Sequence, residues 1–423
     1  MARQVPVWIH LLNDCGSLLP VSDRQSADRR TAVRFGGVRV LLASSLGGAG
    51  HLLPVTAVAQ ACRRLGHEVL LVVPPSLVGE VESTRLPHRV GDEPPREFVD
   101  ELWERVRNGG PDADAGLIDR ELFANRCTRD MIGPVRVACL SWQPDLIVRE
   151  PCEYASAVVA HETGVAQAQV GISLAVIERG VLDMVTPIIE QHRSGVAEAI
   201  RAAPYLSSFP SSLDPSPWAD TRRFHLPAQS TDPLPDWWPE GDDRPLVYVT
   251  FGTVLGHLPE TANVYRSALD AVSGLSVRVL LTVGRAVEVD RVGPVPGNTH
   301  VEQWVPQSTV LAHAAVVVCH GGSGTTFGSL ASGTPLVICP LFADQHHNGQ
   351  LVQTAGAGLV IAGPENKRDG LRSLGPVDVA PIRRAIKRVL TEPTFRQTAQ
   401  RISAELSTAP TLDDVIEQQL TWG

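Results

Sequence analysis

The sequence has no close pair of cysteines, no concentrated tract of lysine and arginine, and no uninterrupted apolar run of membrane-spanning length. Its seven cysteines (Cys15, Cys62, Cys127, Cys139, Cys152, Cys319 and Cys339) are dispersed. Their odd number and wide spacing exclude a small disulfide scaffold and leave no convincing structural-zinc spacing. Cys319 and Cys339 lie in apolar runs and are expected to be buried thiols, which fits a reducing, cytoplasmic setting. Without a basic tract, and with a formal charge of −9, the chain is not expected to bind nucleic acid. The absence of a long apolar run argues against a membrane span. The one short DxD pattern, Asp112-Ala113-Asp114, sits in a polar stretch beside Gly109-Gly110-Pro111 and reads as solvent-facing, so no metal site is expected.

What is present is ordinary globular material, with 43% hydrophobic and 20% charged residues. A chain of 423 residues exceeds the usual size of one hydrophobic core, so two domains are expected. The opening VPVWIHLL soon meets Asn13 and Asp14 and lacks the basic leader and processing pattern of a signal peptide. Residues 1–36 are therefore expected to form an extension outside the working core. The first convincing strand is 38–43, VRVLLA, followed by the turn SSLGGAGH, a helical pattern over 51–65, and a strand over 68–73. A mostly helical stretch is expected over 94–137, a short buried strand at 145–148, and a helix ending at Gly164. Residues 165–225 are cut up by Pro204, Pro210, Pro215 and Pro217 and are hard to read.

The clearest boundary is the proline-rich segment around 226–244. Beyond it, 246–252, 277–284, 316–322 and 336–340 are apolar strand candidates that each end in small or polar residues, where a parallel sheet places a ligand site. The expected architecture is α/β, with two Rossmann-like domains facing a cleft. The boundaries are 37–226 for the first domain, 227–244 for a linker, 245–400 for the second domain, and 401–423 for a helical segment able to pack back on the first.

The most informative run is 300–345, HVEQWVPQSTVLAHAAVVVCHGGSGTTFGSLASGTPLVICPLFADQ. His320-Gly321-Gly322-Ser323-Gly324-Thr325 follows the apolar run VVVC. A glycine turn between a strand and a helix N-terminus lets backbone amides approach phosphate oxygens, and Ser323 and Thr325 can add hydrogen bonds. The terminal Lys-Ser/Thr pair of a Walker A loop is missing, which speaks against kinase-like chemistry. Upstream, Trp304 offers a planar face and Gln307 a hydrogen-bonding edge. Downstream, Asp344 and Gln345 have side chains suited to holding hydroxyls. Together these motifs resemble family-one glycosyltransferases of the GT-B fold, closest in appearance to bacterial enzymes that decorate macrolide, glycopeptide and enediyne natural products. The resemblance spans residues 37–423.

The resemblance implies that His320 and the loop 321–325 hold the diphosphate and stabilise the leaving group. It places Trp304 against the base, Gln307 near the base or ribose, and Asp344 and Gln345 on the transferred sugar. Gly252 and Thr253, at another strand end, would border the diphosphate or sugar from the opposite side. In the N-terminal half, Gly50-His51-Leu52-Leu53-Pro54 matches the GH-x-x-P arrangement whose histidine deprotonates an acceptor hydroxyl in relatives. The matching partner position falls at Glu150 in DLIVREP, where relatives often carry Asp; the extra methylene changes its reach.

The implied activity is inverting transfer of a deoxygenated hexose to a hydroxyl of a small natural-product aglycone. The donor would be a nucleotide diphosphate sugar, with TDP favoured over UDP, and neither a cofactor nor a metal is implied. Self-association as a homodimer is left open. A sugar-nucleotide epimerase and a non-catalytic nucleotide-sugar binding protein are alternative readings. Donor turnover without acceptor would mark the first; donor binding without acceptor-dependent nucleotide release would mark the second. A Rossmann dehydrogenase is disfavoured, because GGAGH lacks the dinucleotide glycine spacing.

Overall fold

The computed structural model describes residues 37–108, 116–226, 233–239, 241–252, 261–285, 287–361 and 372–420. The expected extension at 1–36, the Asp112/Asp114 pair and Thr253 lie outside them.

The first half is built on seven parallel strands: β1 (Arg39–Ala43), β2 (Glu68–Val73), β3 (His88–Val90), β4 (Leu146–Arg149), β5 (Ala166–Val170), β6 (Tyr205–Ser207) and β7 (Thr221–Arg223). Their order across the sheet is β3-β2-β1-β4-β5-β6-β7. The strand RVLLA is apolar throughout because both of its faces are covered, as parallel sheets require. Val40 and Leu42 pack with Val55, Ala59 and Cys62 of helix Ala49–Arg64, whereas Leu41 packs with Val135 and Ala138 of helix Thr128–Trp142 on the opposite side.

The second half holds six parallel strands: β8 (Leu246–Thr250), β9 (Arg278–Thr282), β10 (Thr299–Glu302), β11 (Ala314–Cys319), β12 (Leu336–Ile338) and β13 (Gly358–Val360). Their order is β10-β9-β8-β11-β12-β13. In each sheet the chain starts at a central strand, moves outward to one edge, then returns to the other side of its starting strand. The reversal falls between β1 and β4 in the first sheet and between β8 and β11 in the second. Ligands of open α/β sheets bind beyond the carboxyl ends of strands at such reversals. Those four ends lead directly into residues 44–51, Glu150, Gly252 and His320.

The halves touch. Leu174 and Phe209 of the first half lie in one apolar cluster with Leu246, Phe327 and Leu330 of the second, and the Phe209 and Phe327 rings are 4.2 Å apart. In the proline-rich connection, Leu234, Trp237 and Trp238 pack on that same cluster. One expected boundary needs correction. The division at 400/401 falls inside helix Pro393–Ser407, whose Ile402 and Leu406 still pack on the second sheet. Only after it does the chain return: Leu412, Val415 and Ile416 of helix Leu412–Leu420 join the core of the first sheet. Among the described residues, no helix is long and apolar enough to cross a membrane.

Candidate active site

At the first reversal the pairing of Ala43 with Arg149 sets the turn after β1 beside Glu150. The Glu150 carboxylate is fully buried. Its Oε1 accepts the Ser45 amide at 2.9 Å and the Ser45 hydroxyl at 2.5 Å, while Oε2 accepts the Cys152 amide at 2.6 Å. His51 Nδ1 stands 3.3 Å from the same Oε1. The ring is closely packed. Phe123, in the wide π-helical stretch Ile118–Cys127, stacks on it with centroids 5.4 Å apart. Gly47 lies so close that a Cβ there would come within 2.3 Å of the ring, at a φ of +158°. With Nδ1 turned to Glu150, the free ring nitrogen is Nε2.

The electrostatics follow from this packing. Burial acts to lower the His51 pKa, but the Glu150 charge and hydrogen bond outweigh it and raise the imidazole above its ordinary 6.5. Burial likewise acts to raise Glu150; the His51 charge, the ring contact and the two Ser45 donors overcome it and hold the carboxyl below its usual range. Glu150 is therefore an anion at neutral pH. Asp344, from the second half, also stabilises the His51 imidazolium, so the two reversals share one electrostatic environment.

At the second reversal, Thr250 pairs with Cys319, so the chain after β8 runs beside His320. Gly252, at φ +77°, and Gly322 flank the His320 ring. A Cβ at the first would lie 2.9 Å from Cε1, and at the second 2.5 Å from Nε2. At Gly252 and Gly322 the imidazole occupies the space where a side chain would stand, whereas at Gly321, φ +95°, a Cβ would instead meet Ile338 and the Gln345 carbonyl. Burial pushes His320 down to about 4, with the Asp344 charge opposing only in part, so the ring is neutral at neutral pH. In that state the ring can offer only a neutral N–H to an incoming group. Helix Ser323–Ala331 starts directly after Gly322, turning its positive end toward the same loop.

The other residues singled out in the sequence are distributed as follows. Gln307 Nε2 donates to Thr325 Oγ1 at 3.1 Å, tying the WVPQ segment to the glycine loop. Asp344 Oδ2 accepts Ser323 Oγ at 2.8 Å and, from the first half, Ser173 Oγ at 2.6 Å. Gln345 is buried, and its Oε1 accepts the backbone amides of Leu341 and Phe342 at 2.8 and 3.1 Å. That carbonyl shapes the loop. Trp304 is half exposed, with the Arg285 guanidinium 4.3 Å from its ring centre. The two line a cavity of about 410 Å³ together with Glu288, Asp290 and Glu302.

Sequence reasoning missed four contributors: Ser45, Phe123, Ser173 and Asn348. Asn348 Nδ2 donates to Gly321 O, Ser323 Oγ and Asp344 Oδ2, at 2.9, 3.0 and 3.1 Å, stapling the loop to the helix that follows it. Its position one helical turn after Asp344 was a usable signal. Ser173 had none, because it lies in the stretch the prolines obscured.

Residues 266–421 match the family model described as "Erythromycin biosynthesis protein CIII-like, C-terminal domain". L-demethylnoviosyl transferase of Streptomyces niveus is 28% identical over 386 residues, covering 87% of this chain and 97% of that protein. The glycosyltransferase SnogD from Streptomyces nogalater superposes with a TM-score of 0.70 at 24% identity, covering 91% and 99% of the two chains. SsfS6, a glycosyltransferase of Streptomyces sp. SF2575 solved with thymidine diphosphate, gives 0.66 at 22% identity, covering 90% and 99%. The chain has the GT-B fold, with an EryCIII-like C-terminal region. Its resemblance is to natural-product glycosyltransferases, as the motifs at 51–54, 304–307, 320–325 and 344–345 implied.

Proposed function

We propose that this protein transfers a deoxygenated hexose, with inversion and without a metal, from a nucleotide diphosphate to a hydroxyl of a small natural-product aglycone in the cytoplasm. The observation that carries the reading is the His51–Glu150 pair at one sheet reversal, with Asp344 beside the His320 loop at the other accepting hydrogen bonds from Ser323 and, from the first half, from Ser173. His51 Nε2 takes the acceptor proton as the acceptor oxygen forms its bond to the anomeric carbon. The bond from that carbon to the β-phosphate oxygen breaks, and the electron pair leaves with the diphosphate. Glu150 stabilises the imidazolium that results. His320 and the amides of loop 321–325 donate to the departing diphosphate. Attack from the face opposite the leaving group gives inversion.

Thymidine diphosphate as the leaving nucleotide is supported by its presence in the structural neighbour SsfS6. Trp304 would hold the base, with Arg285 moving off its face or sandwiching it. The aglycone class is supported by relatives such as elloramycin glycosyltransferase ElmGT of Streptomyces olivaceus and tylactone mycaminosyltransferase of Streptomyces fradiae. The test is release of TDP from a TDP-deoxyhexose panel, in chelator, with and without hydroxylated polyketide and aromatic acceptors. Acceptor-dependent release with a β-to-α or α-to-β change at the anomeric centre is expected. Donor conversion without acceptor would instead identify an epimerase, and donor binding with no release across the panel a binding protein.

A further inference from the structure

One side chain beside the catalytic pair has no part in the proposed transfer. Cys152 follows Glu150 by two residues across Pro151, and its backbone amide already holds Glu150 Oε2. Its thiol is reduced and half-buried. A ring nitrogen of His51, a carboxylate oxygen of Glu150 and Cys152 Sγ all lie within 4.8 Å of one another. Imidazole, carboxylate and thiol are the ligand types that borderline-soft divalent ions select, and the thiol disfavours magnesium and calcium. Zinc takes such ligands at about 2.0–2.3 Å in a tetrahedron, so that neighbouring donors sit roughly 3.5 Å apart. The His51 Nδ1–Glu150 Oε1 separation of 3.3 Å is already of that size. Sγ, within 4.8 Å of both, has to close the remaining gap. The Ser45 amide and hydroxyl and the Cys152 amide hold the carboxylate, an outer shell that pre-orients a ligand.

We propose that His51, Glu150 and Cys152 form an inhibitory site for zinc and similar thiophilic divalent cations. On binding, the Cys152 thiol releases its proton and Sγ bonds to the ion. The ion takes the Nδ1 lone pair of His51, so the ring proton resides on Nε2, the atom that must be free to accept the acceptor proton. The fourth coordination position is left to water. Transfer therefore stops for want of a base.

The inhibition rests on His51 being the base; the coordination does not, and the experiment separates the two. The full metal-free chain is titrated with cobalt(II) while thiolate-to-cobalt charge-transfer absorption is recorded, and with zinc against a competing chromophoric chelator. Transfer is assayed in parallel with added zinc and with excess chelator. One equivalent of ion with a thiolate band is expected in the wild type, and loss of that band in Cys152→Ser and Cys152→Ala. Both variants should retain wild-type transfer without metal and require about tenfold more zinc, or beyond, for half-inhibition. Absence of the thiolate band, a band unchanged in both variants, or activation of transfer by zinc would overturn the site. A band lost as expected, but with transfer untouched by bound zinc, would keep the site and overturn its inhibitory role together with the assignment of His51 as base.

Discussion

A histidine pressed between a buried carboxylate, an aromatic ring and a glycine responds to pH in a way that identifies its partner. The His51 pKa lies above 6.5 because Glu150 outweighs the burial that would lower it. On the proposed mechanism the neutral ring is the working base, so the single-turnover rate should rise with pH through that raised value and level off above it. Glu150→Gln removes the cause of the elevation. Its acid limb should move to lower pH while its plateau falls, since the imidazolium loses its counter-charge. A limb that stays in place in a folded Glu150→Gln variant would mean that another group sets it.

The same pair adds a linkage to stability. The His51 part is full below its unfolded value near 6.5 and is lost as pH rises through the folded value. The juxtaposition was legible in GHLLP and DLIVREP only through the resemblance they carry: Glu150 directly follows β4, whereas His51 lies in the first turn of helix Ala49–Arg64. Ser45 was not legible: nothing in SSLGG distinguishes a serine that holds a carboxylate from one that merely turns.

At the scale of the element, the turn between β11 and helix Ser323–Ala331 depends on what surrounds His320. Gly322 has an ordinary backbone, with φ −60°, so alanine would fit the chain there. It would not fit the space, because the added methyl would stand 2.5 Å from His320 Nε2. Gly322→Ala is therefore expected to displace the ring and slow transfer by about 10²-fold, a cost typical of misplacing a reacting group by 1 Å. Its melting temperature should change little, and single-turnover rates with donor saturating are the check. Unchanged turnover would remove His320 from the leaving-group role.

The long apolar strands β1, β2, β8, β9 and β11 were readable because both faces are buried. β6, β7 and β13 are three residues each, too short to carry a period, and β10 is half-exposed along its length. The stretch that supplies Phe123 was expected as helix, but nothing in its sequence pattern marked it as π-helical.

The whole molecule brings two independently built sheets to one cleft, each offering the carboxyl ends of its central strands. Ser173 reaching Asp344, Phe209 against Phe327, and the return of helix Leu412–Leu420 to the first sheet tie the halves together. The two-half division was legible from the proline-rich segment and the strand spacing. The place where the chain returns was not, because helix Pro393–Ser407 carries an apolar face no different in kind from the helix after it. Contacts between halves have no local signature in a sequence; they exist only once both sheets are built.

The central claim is that the acceptor proton goes to His51 while the leaving nucleotide is held by the other half. The direct measurement is the single-turnover rate of TDP release, with donor pre-bound and a non-acidic alcohol acceptor, in wild type and His51→Ala. Donor affinity is measured separately on each protein. The expected result is a rate lower by about 10²- to 10⁴-fold in His51→Ala, with donor affinity unchanged because the substitution touches nothing in the His320 loop. A folded His51→Ala that releases TDP at the wild-type rate would contradict the account.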